Sequence, residues 1–296
     1  MRSPADEPVA EVGDPRPLLR RIQESVDGAV GSLTPRAVRL FARDRSDELT
    51  SGRLLVLAPH PDDETLGCGV AVQRTLEAGG KVVVVVATDG RFGDAEVVPP
   101  ERMAAVRRDE FLEATSALGL DLADLVMLGF EDASLTRSES RLRGAVEDVV
   151  AGFRPDVVMS PCPWDIHPDH AALGRVARAV LDGRPVQHVE YLIWGWDQPV
   201  RLAARLGRRL RGLRDDRTTA GRPVLVNGTG HVAKKAEALA CYTTQFAPSA
   251  ELYGHSIGGS GPLGNEFLRQ IDFENELFFP RRAHKAAAPV EGRSPG

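Results

Sequence analysis

Residues 81–88 read KVVVVVAT, with five valines in succession. Such a run has no polar face in strand register, and β-branched side chains favour an extended chain. A strand apolar on both faces must be covered on both faces, as in a parallel sheet sandwiched between helices. The same signal recurs in RLLVLA (53–58), LVMLGF (125–130), DVVMSP (156–161) and HVEYLIWGW (188–196), and more weakly in PVLVNG (223–228). Between these runs, residues 63–78, 100–118, 140–153 and 167–181 carry apolar positions at helical spacing, several closing at glycine. Strands alternating with helices of this length build right-handed βαβ units. The expected architecture is α/β: a Rossmann-like three-layer sandwich with a mostly parallel sheet and its active site at the carboxyl ends of the strands.

This unit is expected over residues 51–282. Residues 1–50 form an N-terminal extension, with a helix expected in 17–46 from Leu18, Leu19, Ile22, Val26 and Val30. Residues 283–296 have the composition of a disordered tail. Residues 201–217, RLAARLGRRLRGLRDDR, form a basic amphipathic stretch suited to a solvated lid or to an acidic ligand. No apolar run reaches the length of a membrane span, and the N-terminus has no apolar leader, so a cytoplasmic location is expected. Three widely spaced cysteines argue against a disulfide framework. A net charge of -5 lacks the basic footprint of a nucleic-acid binder, so none is expected as a partner. A homo-oligomer is left open.

Polar clusters follow four successive apolar runs: His60 to Glu64, Thr88 to Gly93, Glu131 with Asp132, and Asp165 to His170. In HPDD, His60 and Asp63 are three residues apart; in HPDH, His167 and His170 are too. Imidazoles and a carboxylate at such spacing suit a hydrolytic zinc site, with three protein ligands and a place for water. The adjacent Asp62 and Asp63 diverge in direction, so one carboxylate binds metal while the other is left as general base. The remaining histidine is then available to stabilise an oxyanion or protonate a leaving amine. Either motif alone would read as a capped helix start.

APHPDDETLGCG, TDG and PCPWDIHPDHAA, in that order, resemble the PIG-L or LmbE-like family of zinc-dependent N-deacetylases, from about Arg53 to Trp194 and weakly on through KKAEALACYTTQF. The resemblance implies hydrolysis of the N-acetyl group of an N-acetylglucosamine-type conjugate, a small-molecule amino sugar, with Zn2+ or another divalent metal as cofactor. It implies that His60, Asp63 and His170 hold the metal, that Asp62 is the general base, and that His167 stabilises the oxyanion. It makes Arg107 and Asp132 candidates for sugar contact, although an Arg107–Glu110 pair within one helix and a turn role for Asp132 are the plainer readings. Some relatives carry a tyrosine where this chain has Asp165. Asp165 is therefore read as an acceptor orienting a ligand imidazole, with Tyr242 a candidate replacement donor, and Asp89 as a second such acceptor. Glu64 is read as a first-turn helix residue and Cys68 as a buried small one. His255 is left between a site and a surface role. The rival functions are an amidase acting on a larger acyl or thiol-conjugate amide and, in another class, a non-catalytic sugar or nucleotide binder.

Overall fold

The computed structural model describes residues 35–93, 98–197, 222–246 and 275–281. Its strands are β1 (Arg43–Asp44), β2 (Arg53–Ala58), β3 (Lys81–Thr88), β4 (Leu125–Phe130), β5 (Val157–Pro161), β6 (Gln187–Tyr191), β7 (Val224–Asn227) and β8 (Asn275–Pro280). The helices are α1 (35–41), α2 (Ser46–Leu49), α3 (Asp63–Glu77), α4 (Pro100–Leu118), α5 (Glu139–Phe153), α6 (Pro168–Leu181), α7 (Val232–Ala240) and α8 (Thr243–Phe246). All strands join one sheet, in the order β1-β7-β8-β6-β5-β2-β3-β4. From β4 across to β6 every pairing is parallel, as the apolar runs predict. Strand β8, which the sequence pattern did not reveal, runs antiparallel to both β6 and β7.

The valine run is buried on both faces because its alternate side chains enter different cores. Val82, Val84 and Val86 join Leu54, Val56 and Met159 beneath α3, α4 and α7, where Leu66, Phe111 and Ala238 pack. Val85 and Ala87 join Leu55, Leu57 and Val158 beneath α5 and α6, with Val146 and Val176. Helix α6 sits unusually close to the sheet. A Cβ at Gly174 would lie 2.5 Å from the Pro161 carbonyl oxygen, so glycine is what lets α6 approach the end of β5.

A charged pair is built into the first of these cores. Lys235 of α7 and Glu276 of β8, both buried, meet at 2.8 Å. The Glu276 carboxylate accepts the Val70 and Ala71 N–H groups in the middle of α3, and Lys235 donates to the Leu66 carbonyl, the usual α-helical acceptor for Val70. The carboxylate and ammonium thus enter the backbone ladder of α3 and tie it to the C-terminal elements.

The expected strand HVEYLIWGW is shorter than its apolar run: β6 stops at Tyr191, and Trp194–Asp197 is a 3-10 turn. Asp165 causes this. Its carboxylate captures the Ile193 and Trp194 N–H groups at 3.1 and 3.3 Å and draws the chain out of the sheet. Of the helix expected in 17–46, only the last residues are described; 35–41 are helical and Arg43–Asp44 pairs with β7. Leu18 to Val30, the basic stretch 201–217, His255 and the tail 283–296 lie outside the described residues. No helix among the described residues is long and apolar enough to cross a membrane.

Candidate active site

Strand β2 has β3 on one side and β5 on the other. After β2 the chain builds outward through β3 and β4, then returns to place β5 and β6 on the opposite flank. The gap between the carboxyl ends of β2 and β5 is therefore the topological switch point, where open parallel sheets bind ligands. HPDD leaves β2 there and HPDH leaves β5 there, so two segments a hundred residues apart face each other.

Each motif is also a helix start. Asp62 is the N-cap residue of α3, with φ +123° and ψ -31°, a conformation rare for any residue but glycine. His167 caps α6, with Pro168 at the first helical position. Its Nδ1 accepts the Asp169 N–H at 3.3 Å, which puts the proton of the neutral ring on Nε2.

The side chains converge. Asp63 Oδ2 lies 3.2 Å from His60 Nδ1 and 3.2 Å from His170 Nε2. On its other edge, His60 Nε2 is 3.1 Å from Asp132 Oδ1 and 3.4 Å from Asp169 Oδ2. His170 Nδ1 is 3.4 Å from Asp165 Oδ2. Asp165 thus stands beside an imidazole of the cluster. The rings of His60 and His167 meet edge to face, with centroids 4.7 Å apart. These groups open on a cavity of about 220 Å³ whose walls include Asp62, Arg107, His167, Phe92, Trp194 and Gln245.

Several expected placements change. Arg107 does not pair with Glu110 along its helix. Its guanidinium donates to Asp62 at 3.1 Å, to the Gly90 carbonyl at 3.1 Å and to the Pro61 carbonyl. Gly90 has φ +64°, and a Cβ there would strike the guanidinium at 2.6 Å. Glu110 instead holds Thr243 and Thr244. Among the described residues Asp89 meets no histidine: it binds the Arg91 side chain at 2.7 and 2.9 Å and accepts the Asp132 N–H at 3.3 Å, because the turn after β3 points its carboxylate toward the 131–133 loop. Tyr242 is not a donor in the cavity. It is fully buried, and its hydroxyl donates to Glu64. Asp132 lines the cavity while accepting the Phe92 N–H at 3.1 Å. The residues missed from sequence are Asp169, Phe92, Trp194 and Gln245; of these only Asp169, inside HPDH, carried a motif signal.

Among the described residues, two sets bring ligand atoms within 4.8 Å of one another: His60, His167 and His170, and His60, Asp132 and Asp169. A buried His/Asp group able to hold a metal ion is therefore present. Its chemistry fits a cation in a further respect: His60 Nε2, both His170 nitrogens and Asp169 Oδ2 are buried without an aligned hydrogen bond, although their neighbours stand at 3.1 to 3.4 Å. Ligands about 2.1 Å from a tetrahedral zinc sit about 3.4 Å apart, near both 3.2 Å separations of Asp63, which belongs to neither of the two sets.

Without a metal, the charges balance within the cluster. Burial alone would raise the Asp63 carboxyl, but His170 and then His60 override it and hold it well below the usual range. Burial would lower His170, but Asp63 and Asp165 push it up to about 9. His167 behaves differently: burial, then His60 and His170, push it down to about 4, so this ring is neutral near pH 7. Burial also raises Asp62, against the opposing pull of Arg107.

Comparison with known proteins gives a consistent result. The family described as PIG-L, GlcNAc-PI de-N-acetylase, matches residues 55–181. The chain is 28% identical over 201 residues to a probable N-acetyl-alpha-D-glucosaminyl L-malate deacetylase 2 of Bacillus anthracis, covering 66% of this chain and 81% of that protein. It is 30% identical over 185 residues to a 1D-myo-inositol 2-acetamido-2-deoxy-alpha-D-glucopyranoside deacetylase of Saccharomonospora viridis, covering 52% and 68%. Among solved structures, an N,N'-diacetylchitobiose deacetylase from Pyrococcus horikoshii shares the fold, with a TM-score of 0.53 and 19% identity over 81% of this chain and 83% of that one.

Proposed function

The chain belongs to the PIG-L family of de-N-acetylases, and from that premise we propose that it is a metal-dependent hydrolase that removes the acetyl group from an N-acetylglucosamine-type conjugate. The observation that carries this reading is the meeting of HPDD and HPDH at the switch point, with one Asp63 oxygen 3.2 Å from an imidazole of each motif. We assign His60, Asp63 and His170 as the metal ligands and Zn2+ as the metal. His167 is left out of the set for a chemical reason. A neutral ring ligating through Nε2 needs its proton on Nδ1, where the Asp169 N–H already points.

A bound zinc ion supplies Lewis-acid polarisation of the acetamide carbonyl and lowers the pKa of water. The protein's groups do the rest. Asp62, buried beside Asp63 and steered by Arg107, takes a proton from the attacking water. His167 presents its Nε2–H to the oxygen where negative charge develops. Proton delivery to the sugar nitrogen completes the exchange of one water for acetate and a free amine. Arg107 and Asp132 line the cavity and are assigned to sugar hydroxyls, in addition to the protein hydrogen bonds they already make.

Reconstituted protein should release acetate and amine in equal amounts from at least one member of a panel of N-acetylglucosamine derivatives: free sugar, inositol conjugate, malate conjugate and chitobiose. Chelation should stop the release and zinc should restore it. Zinc-loaded protein inactive on the whole panel, but active on a larger acyl amide, would move the assignment to the amidase rival.

A further inference from the structure

The Asp62 backbone, at φ +123°, is farther from the ordinary left-handed region than Ala133, the other non-glycine residue at positive φ beside the site. Such a conformation in a non-glycine residue costs about 1–3 kcal/mol and persists only where the surroundings over-determine it. Two buried groups meet Asp62 from opposite sides. Arg107 grips its carboxylate at 3.1 Å. Glu64, wholly buried, accepts its backbone N–H on Oε2 at 3.1 Å. The other Glu64 oxygen is taken by the hydroxyls of Tyr242 and Thr65. Tyr242 is in turn fixed by its neighbours, because Glu110, one turn beyond Arg107 on α4, accepts hydrogen bonds from Thr243 and Thr244. Helix α4 therefore holds Asp62 twice, directly by the side chain and through the 242–244 turn by the backbone.

A first-turn glutamate serving only the helix dipole needs no hydrogen-bond partners of its own. Glu64 is buried, and each of its oxygens is engaged. We infer that Glu64 and Tyr242 are positioning residues for the base: a hydrogen-bonded relay from the C-terminal YTT turn that keeps Asp62 at positive φ and its carboxylate over the cavity. The inference rests on the reading of Asp62 as the general base. It gives the weakly matching CYTTQF segment a part in the reaction without placing any of its hydroxyls on the substrate.

The test uses the full chain loaded with zinc or cobalt and the panel member that wild type hydrolyses fastest. Glu64→Ala removes the acceptor and should lower kcat by about 100-fold, the scale of a misplacement near 1 Å. KM should stay within about twofold, with metal stoichiometry and the cobalt absorption spectrum unchanged. Glu64→Gln, whose carbonyl can still accept the Asp62 N–H, should recover most of the rate, while Tyr242→Phe should lie between, near tenfold down. Crystals of Glu64→Ala, or of Tyr242→Phe if the first does not fold, should show Asp62 relaxed away from φ +123° or with a displaced carboxylate. Unchanged kcat, a loss of rate matched by a loss of bound metal, or an unmoved Asp62 in the crystal would overturn the inference. Asp62→Asn is the separate control: full rate in that variant sinks the base assignment, while the crystal comparison still judges the positioning relay.

Discussion

Replacing Asp62 by asparagine should separate stability from turnover. The substitution keeps the shape of the side chain, and asparagine tolerates positive φ better than most residues, so the strained N-cap of α3 suffers no new clash. The amide oxygen can still accept from Arg107, which also keeps the Pro61 and Gly90 carbonyls. The lost charge attraction is offset by the end of a burial penalty, which is the larger effect because the Asp62 carboxyl is raised despite the guanidinium beside it. Metal-free Asp62→Asn at pH 7 should therefore be at least as stable as wild type, read as the urea midpoint at constant m. The rate should move the other way. Losing a general base costs about 10²- to 10⁴-fold, or roughly 3–5 kcal/mol in the barrier. Acetate release and denaturant titration on one preparation, with metal content measured alongside, make the comparison. A variant that is destabilised by several kcal/mol, or one that retains full kcat with metal bound, would refute the reasoning.

Two further outcomes follow from groups away from the cavity. Lys235→Met leaves Glu276 buried without its ammonium, so the urea midpoint should report a loss of about 3–5 kcal/mol; a loss below 1 kcal/mol would show that the pair does not anchor α3. His188 is buried on β6, its Nε2 2.8 Å from Ser160 Oγ, and burial pushes it down to about 4 from an ordinary value of 6.5. The unfolded chain therefore binds its proton before the folded one does, and stability present above pH 6.5 is lost as pH falls toward 4, by about 3 kcal/mol in all. The stability difference between wild type and His188→Gln should change by that amount between pH 6.5 and 4; parallel curves would contradict the assignment.

The sheet was legible because burial on both faces leaves an unmistakable mark: the valine run of KVVVVVAT has no polar face to turn to water. Strand β8 left a weaker mark, since Glu276 interrupts NELFFP with a buried charge whose reason, the Lys235 partner and the α3 N–H groups, lies far away in the chain. The end of β6 was hidden for a similar cause, because Asp165 stops the strand from outside it. Within the site, HPDD and HPDH announced themselves by residue type and spacing. Which acceptor each polar group finds is set by loops that fold over one another. Thus Arg107 turned from Glu110 to Asp62, Asp89 from a histidine to Arg91, and Tyr242 from the cavity to Glu64.

The ligand set is the claim on which the rest depends, and metal stoichiometry with affinity, measured by chelator competition in His60→Ala, Asp63→Asn, His170→Ala and His167→Ala, tests it most directly. The first three variants should lose zinc binding, while His167→Ala should bind one equivalent at close to wild-type affinity and turn over slowly. Loss of zinc in His167→Ala together with its retention in Asp63→Asn would contradict the account, and would put the metal among the three histidines instead.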